Sequence, residues 1–312
     1  MSSKVVVGII SYLPKDLEVR QKRIQAHTKQ LNRLNELFPD VDIIQMDQQY
    51  EPVDVDWFNS IACNGNRVVS HELHDKLGIS RARNELLKIF YNSEYEFMML
   101  MDDDTLIYPY YDSSRFFQDL LSWRNKQNIG MIRPLVPSMV PFKRTNYESK
   151  DVIHDYWILR SSLGINPAGM IILSNLKKNF GEEVYFKEDM KSENCEGYED
   201  YDFVLELRER NIPTYMCKQI VINSLIPDAS VMFQDNQRKQ NHIRNICSVY
   251  DCHPKLHIYY QIIDGKIKSN VSKLNIWQSE YIPRSKPYEI PSNLVPKNVP
   301  DDKSTVRRKK LI

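Results

Sequence analysis

Three consecutive carboxylates follow an apolar run in the segment Phe97–Thr105, which reads FMMLMDDDT. In an extended chain, successive side chains point to opposite sides, so Asp102 and Asp104 can face the same way. Three anions packed together repel one another, and a bound hard cation such as Mn²⁺ or Mg²⁺ removes that repulsion. The pattern therefore favours a metal site formed by Asp102 and Asp104 over a solvated acidic turn.

A second polar group lies at the start of a predicted helix in the segment 76–84, which reads KLGISRARN. Ser80 is a suitable N-cap residue, which places Arg81 and Arg83 in the first helical turn. The helix dipole disfavours cations there, and a bound anion such as a nucleotide diphosphate would offset that effect. The alternative is a pair of surface arginines that form ion pairs with acidic residues elsewhere.

A third group consists of acidic residues at the start of a later predicted helix, in the segment 195–202, which reads CEGYEDYD. Acidic residues are favourable at the N-terminus of any helix, so the pattern alone is not specific. The functional interpretation is that Asp200 is held on a rigid helix start and takes a proton from a hydroxyl group.

The elements that must position these residues alternate between strand and helix through about residue 105. The predicted strands of this part are Val5–Ile10, Val41–Met46, Asn66–Ser70 and Phe97–Met101. Later strands are predicted at Met131–Val136, Ala168–Leu173 and Lys218–Asn223, with a helix near 199–211. The alternation predicts an α/β fold with an open, mostly parallel sheet flanked by helices.

Composition excludes several classes of protein. No run approaches the roughly 20 apolar residues needed to span a bilayer, so no integral membrane association is expected. The five cysteines are odd in number and scattered, which suits a reducing, cytoplasmic location. Neither a phosphate-binding loop nor a Gly-x-Gly-x-x-Gly motif is present. The spacing Cys247-x4-Cys252-His253-x3-His257 is loosely similar to zinc motifs but matches no standard finger.

The formal net charge of +1 conceals a division along the chain. Residues 264–312 hold eleven Lys and Arg against five Asp and Glu, whereas residues 1–263 hold 31 against 36. From about residue 264 the sequence also becomes irregular and rich in proline. We therefore predict a domain over 1–263 and an extended, irregular, basic C-terminal arm over 264–312.

The order of the three polar groups is similar to that of the GT-A nucleotide-sugar glycosyltransferases, in particular their large inverting family. The resemblance covers about residues 4–225. It implies a Rossmann-like GT-A fold in which residues 1–263 form the catalytic domain. The donor half would span about 1–110 and the acceptor half about 111–263. The implied reaction is direct displacement with inversion at the sugar carbon.

The resemblance also implies roles for individual residues. Asp102 and Asp104 look like the metal-binding Asp-x-Asp motif, and Asp200 matches the general base, with Glu199 as its companion. The residues implied for the nucleotide-sugar donor, a UDP-sugar, are Ser11, Tyr12, Asp47, Arg81, Arg83, Asn84 and Asp103. The family often has a late histidine on the metal, for which His242 is the candidate; an ordinary surface histidine is the alternative.

The arm suggests the acceptor. Basic residues interleaved with aromatic ones are compatible with a polyanion. The composition and small size also resemble the DNA-modifying glycosyltransferases of T4-like phages, which modify 5-hydroxymethylcytosine. Double-stranded DNA carrying this base is therefore the leading acceptor, in the host cytoplasm if the chain comes from a phage. A lipopolysaccharide, capsular or other glycan is the rival acceptor. A haloacid-dehalogenase-like phosphatase and a non-catalytic nucleic-acid-binding protein are alternatives of other classes.

Overall fold

The structure is a computed structural model, and it describes part of the chain. The described residues are 4–62, 68–73, 78–109, 129–135, 156–161, 170–188, 198–224, 246–269 and 280–283. The predicted metal ligand His242 and the last part of the predicted arm, residues 284–312, lie outside these ranges.

Ten strands of the described residues form one sheet, and two more form a hairpin. In chain order the strands are β1 (Val5–Tyr12), β2 (Asp42–Gln48), β3 (Val68–Leu73), β4 (Phe97–Asp102), β5 (Thr105–Pro109), β6 (Met131–Leu135), β7 (Tyr156–Ser161), β8 (Met170–Ser174), β9 (Thr214–Ser224), β10 (Tyr260–Ile263), β11 (Lys266–Ser269) and β12 (Glu280–Pro283). The order across the sheet is β12-β7-β9-β6-β8-β4-β1-β2-β3, with β5 paired to β9.

Helices connect and cover the strands. They are α1 (Leu17–Leu37), α2 (Pro52–Ala62), α3 (Ile79–Tyr91), α4 (Leu176–Phe180) and α5 (Glu199–Glu209), together with the 3-10 helix Pro254–Leu256. Residues 246–251 are also helical. No helix among the described residues combines the length and apolar character needed to cross a membrane.

The first half of the sheet is parallel throughout, in the order β4-β1-β2-β3. Parallel neighbours need crossover connections, and α1, α2 and α3 lie in those connections. The predicted α/β class is therefore confirmed. In this register Ser11 pairs with Asp47, and the preceding residue of β1 pairs with Asp102. The three polar residues consequently lie at one edge of the sheet, where the strands end.

The second half of the sheet is mainly antiparallel. Strand β8 pairs antiparallel with both β4 and β6, and β9 pairs antiparallel with β5 and β7. Only the β6–β9 pair is parallel among the described pairs of this half. The region predicted as an arm contributes β12, which pairs with β7, and β11, which forms a hairpin with β10. The predicted boundary at 263/264 falls in the turn of that hairpin.

Strand β1 separates two apolar layers. Val5, Val7 and Ile9 belong to the cluster that includes the buried leucines of α1. Val6 and Ile10 point to the opposite face and belong to the cluster that includes the buried residues of α3. A β-branched run such as that of β1 is expected where a parallel strand is covered on both faces. This packing fixes α1 and α3, and polar residues of both helices reach the edge of the sheet where the parallel strands end.

Helix α3 begins earlier than the sequence pattern predicts. Its N-cap is Gly78, with φ 85° and ψ 164°, a backbone conformation essentially restricted to glycine. The Gly78 N–H donates to Oε1 of Gln48 over 3.2 Å. The prediction that Ser80 caps this helix is therefore wrong, since Ser80 is its second residue. As a consequence Arg83 lies in the second turn, not the first.

Candidate active site

The three consecutive aspartates lie where β4 ends. Asp102 is the last residue of the strand, and Asp103 and Asp104 form the turn into β5. Asp102 and Asp104 are partly exposed, whereas Asp103 is buried. Solvent thus reaches both Asp102 and Asp104 in part, whereas Asp103 makes its hydrogen bonds inside the domain. Metal binding by Asp102 and Asp104 stays a prediction.

Arg83 joins two of the predicted groups. One Nη atom donates to Oδ1 of Asp102 over 2.9 Å, and the other donates to Oε1 of Glu199 over 2.9 Å. The guanidinium carbon also lies 5.1 Å from the centre of the Phe186 ring. Burial alone would lower the pKa of Arg83, but attraction to Asp102 and Glu199 outweighs it and raises that pKa. Arg83 therefore links the end of β4 to the start of α5.

Asp200 lies beside this ion-pair network, in the first turn of α5. The preceding Tyr198 adopts a left-handed conformation with φ 80°, and α5 begins directly after it. Burial, together with the neighbouring Glu199 carboxylate, raises the pKa of Asp200 to about 7, although attraction to Arg83 opposes the rise. A carboxyl group with this pKa is suited to exchange protons near neutral pH.

A second buried arginine, Arg133, which no sequence pattern indicated, is attracted to the Asp200 carboxylate. Arg133 lies on β6 and is 6% exposed. Burial lowers its pKa to about 10, and attraction to Asp200 partly opposes that effect. The carboxylates of this edge are thus accompanied by two buried guanidinium groups, Arg83 and Arg133.

Asn84 and Arg81 hold a neighbouring segment in place. The Asn84 amide donates to the Phe186 carbonyl over 2.8 Å and accepts from the Phe186 N–H over 2.8 Å. Glu188 accepts from Asn84 and, over 3.2 Å, from Nε of Arg81. Asn84 therefore positions the Phe186 segment that packs on Arg83. Arg81 is 58% exposed at the rim, and direct donor contacts by either residue stay predictions.

Ser11, Tyr12 and Asp103 form a hydrogen-bonded group at the same edge, in which Ser11 and Asp103 are buried and Tyr12 is half-buried. The Ser11 hydroxyl and the Tyr12 N–H donate to Oδ2 of Asp103 over 2.9 and 3.2 Å. Arg23, from α1, donates to the other oxygen over 3.0 Å. Asp103 thus ties the end of β1 to α1 and to the turn after β4. The predicted nucleotide contacts of these three residues stay predictions.

Asp47 is fully buried at the end of β2. It accepts a hydrogen bond from Nε2 of Gln45, and Tyr50 lies close by, hydrogen-bonded to Ser11 over 2.6 Å. Burial and the Asp47 charge raise the pKa of Tyr50 well above its usual value. Asp47 is therefore part of a polar layer inside the domain, and its predicted contact with a base is not tested by this geometry.

Gln30, a second polar residue of α1, is hydrogen-bonded to the backbone of the aspartate turn. Nε2 of Gln30 donates to the carbonyls of Asp102 and Thr105 over 2.6 and 2.9 Å. The Gln30 Oε1 in turn bonds His27, which bonds Gln45 on its other ring nitrogen. Because the Gln30 amide nitrogen donates to carbonyls on both sides of the turn, this layer keeps the turn in one conformation.

The residues at the edge fit a divalent cation. Asp102 and Asp104, both partly exposed, offer oxygen ligands, the donor type that Mg²⁺ and Mn²⁺ prefer. Arg83 fixes one oxygen of Asp102, and Gln30 fixes its backbone, so the carboxylate is preorganised. The predicted ligand His242 lies outside the described residues, so its role stays a prediction.

Comparisons with known proteins agree with the predicted fold. No protein-family model matches the chain, and no curated protein matches it by sequence. The mannosyltransferase PcManGT from Pyrobaculum calidifontis, solved with GDP-Man and Mn²⁺, aligns with a TM-score of 0.53 at 12% identity. GalNAc-T7, solved with UDP, GalNAc and Mn²⁺, aligns with a TM-score of 0.52 at 10% identity.

These similarities establish the fold. They cover 80% and 78% of this chain, but only 64% of the mannosyltransferase chain and 47% of the GalNAc-T7 chain. The Rossmann-like GT-A architecture implied by the family resemblance is therefore confirmed. At these identities an activity does not follow from the fold alone.

Proposed function

We propose that the protein is a glycosyltransferase that moves a sugar from a nucleotide-diphosphate donor to an acceptor hydroxyl with inversion, using Mn²⁺ or Mg²⁺. One observation carries the proposal. The ion-pair network Asp102–Arg83–Glu199 joins the aspartate turn to the first turn of α5, where the next residue, Asp200, has a pKa of about 7. Both lie on a fold whose solved examples include complexes with GDP-Man, UDP and Mn²⁺.

Each part of the site has a proposed role. Asp102 and Asp104 hold the cation, which when bound neutralises charge on the departing diphosphate. Asp200 accepts the proton of the acceptor hydroxyl as that oxygen attacks the sugar carbon, and the bond from this carbon to the diphosphate breaks. Arg83 and Glu199 position Asp200 and Asp102 relative to each other. The donor we propose is a UDP-sugar.

The metal-binding role of the aspartate turn is testable by substitution. Asp104→Ala should abolish Mn²⁺-dependent binding of the nucleotide sugar, because it removes one of the two accessible carboxylates. Isothermal titration calorimetry with UDP-sugars, with and without Mn²⁺, measures this. Asp40→Ala, at an exposed surface position, is the matched control and should bind as wild type does. Unchanged Mn²⁺-dependent binding by Asp104→Ala would refute the assignment.

The transfer rate should depend on pH through Asp200. Because a general base must be deprotonated, the rate is expected to rise about tenfold per pH unit below pH 7 and to level off above it. The measurement is kcat/KM between about pH 5.5 and 8.5 at a fixed free metal concentration. A flat profile across this range would contradict a base with a pKa of about 7.

For the acceptor we propose 5-hydroxymethylcytosine in double-stranded DNA, because the end of the C-terminal arm, here called the tail (residues 301–312), is basic. Residues 301–312 hold five Lys and Arg. Deleting them should weaken DNA binding and reduce the slope of log affinity against log salt by about 0.9 for each phosphate that the tail would neutralise. Fluorescence anisotropy at several salt concentrations measures this slope. A full-length protein without salt-sensitive DNA affinity would favour a glycan acceptor instead.

A further inference from the structure

A second group of ligand-type side chains lies at the far end of α5. Glu206 and Glu209 are three residues apart and therefore share a face of the helix. His253, which precedes the 3-10 helix, packs against this face with its side chain only 2% exposed. Its Nδ1 atom lies 3.9 Å from Oε2 of Glu206 and 3.5 Å from Oε2 of Glu209. All three potential ligand atoms lie within 4.8 Å of one another.

The two glutamates are held so that one oxygen of each faces His253. Oε1 of Glu206 accepts a hydrogen bond from Nε of Arg210 over 2.7 Å. Oε1 of Glu209 accepts from the Lys255 N–H over 3.2 Å. The remaining oxygens are the ones near Nδ1. This is the arrangement of a built site, because separate contacts orient each carboxylate.

The hydrogen bond of the other ring nitrogen, Nε2, determines whether Nδ1 of the neutral imidazole carries a proton or a lone pair. Nε2 of His253 lies 3.0 Å from Oδ1 of Asp202, and a carboxylate can only accept, so Nε2 carries the proton. In the neutral ring, Nδ1 then carries a lone pair. Nδ1 is buried and makes no hydrogen bond. Three lone pairs, from one nitrogen and two oxygens, therefore converge on one place.

Either a proton or a metal ion between these three atoms would remove the repulsion between their lone pairs. A proton on Nδ1 would form ion pairs with Glu209 and Glu206 over 3.5 and 3.9 Å but no hydrogen bond, because neither contact has that geometry. In a tetrahedral zinc site, bonds of about 2.0–2.1 Å place neighbouring ligand atoms about 3.3–3.5 Å apart. The two observed distances to Nδ1, 3.5 and 3.9 Å, are close to this, and the two glutamate oxygens lie within 4.8 Å of each other. A carboxylate on the second ring nitrogen, as Asp202 supplies, is a usual partner of a metal-bound histidine.

We propose that Glu206, Glu209 and Nδ1 of His253 bind a divalent transition-metal ion, for which Zn²⁺ is the probe, and that Asp202 orients the histidine. The site is separate from the candidate active site, because Asp200 and Glu206 are six positions apart in the helix, about 9 Å along its axis. The ion would clamp the helix that carries Asp200 to the segment after residue 246. The zinc-like spacing in the sequence comprises Cys247, Cys252, His253 and His257. Of these four residues, only His253 belongs to the proposed site.

Zinc stoichiometry tests the proposal. Full-length Asp104→Ala, with the proposed donor site disabled, is dialysed against Zn²⁺ with excess Mg²⁺ and analysed for bound metal. About one Zn²⁺ per chain is expected, because Mg²⁺ competes poorly for an imidazole ligand. Adding His253→Gln or Glu209→Gln should abolish this binding, whereas His257→Gln, at an exposed position, should not. Asp202→Asn should weaken it about 10- to 100-fold.

Folding is monitored by circular dichroism, and Glu209→Gln serves if His253→Gln fails to fold, because its amide oxygen can still accept from Lys255. Two results would overturn the proposal. One is a folded His253→Gln or Glu209→Gln variant that binds Zn²⁺ as tightly as its parent. The other is the absence of Zn²⁺ binding to folded Asp104→Ala, which would mean that a protonated histidine alone lies between the glutamates.

Discussion

Asp200→Asn is expected to leave nucleotide-sugar binding intact and to slow sugar transfer by about 10²- to 10⁴-fold. The amide has nearly the same shape as the carboxyl group but cannot accept the proton of the acceptor hydroxyl. Steady-state kinetics combined with calorimetric donor binding separates the two effects. Asp56→Asn, an exposed position on α2, is the control and should behave as wild type does.

The stability of this variant provides an independent check. The pKa of Asp200 in the folded protein is raised to about 7, so ionisation of this group lowers stability as pH rises from about 4 to 7. Asp200→Asn lacks that ionisation and should unfold at no lower a temperature than wild type at pH 8. Near-normal turnover, or loss of transfer only through unfolding, would contradict the role of Asp200 as base.

Arg83→Met is expected to destabilise the protein by about 3–5 kcal/mol, because it leaves Glu199 and Asp102 without the buried cation between them. Urea unfolding at neutral pH measures this change. Arg83→Lys should recover only part of it, since a lysine cannot reproduce the two-sided guanidinium contact.

Arg81→Met is the matched control for this substitution. Arg81 lies two residues earlier in the same helix, and its ion pair with Glu188 is exposed on both sides. Surface pairs of this kind contribute about 0–1 kcal/mol. Equal destabilisation by Arg81→Met and Arg83→Met would show that Arg83 does not join the aspartate turn to α5.

The first half of the fold could be predicted because local pattern and tertiary environment agree there. The β-branched run of β1 matches a strand covered by α1 and α3. The strand before the aspartates ends one residue later than predicted, at Asp102. The antiparallel second half could not be predicted, because strand direction depends on connections whose course local patterns do not encode. Strand β12 likewise lies in a segment whose prolines suggest an irregular arm.

The site was only partly predictable for a similar reason. Asp102, Glu199 and Asp200 were recognisable because acidic residues cluster at element ends. Their cationic partner Arg83 was expected to bind a phosphate group. It lies instead between the carboxylates of Asp102 and Glu199, which are 97 residues apart in the chain. Arg133 gave no signal beyond one charge in an otherwise apolar strand.

Polar residues on the buried face of an amphipathic helix were the overlooked signal. His27 and Gln30 lie in α1 beside Leu31 and Leu34, all buried. Buried polar side chains must be hydrogen-bonded, so their positions indicated an internal network. That network holds the turn that carries Asp104. The support of the site therefore depends on α1 as much as on the strand that bears the aspartates.

The most direct test of the proposed function is mass spectrometry of the products after incubation with Mn²⁺, a panel of nucleotide sugars, hydroxymethylated DNA and candidate glycans. The proposal predicts that wild-type protein adds the mass of one sugar to one acceptor and releases the nucleoside diphosphate, whereas Asp104→Ala and Asp200→Asn do not. If wild-type protein consumes no nucleotide sugar and binds none in an Mn²⁺-dependent manner, the chain is not the glycosyltransferase proposed.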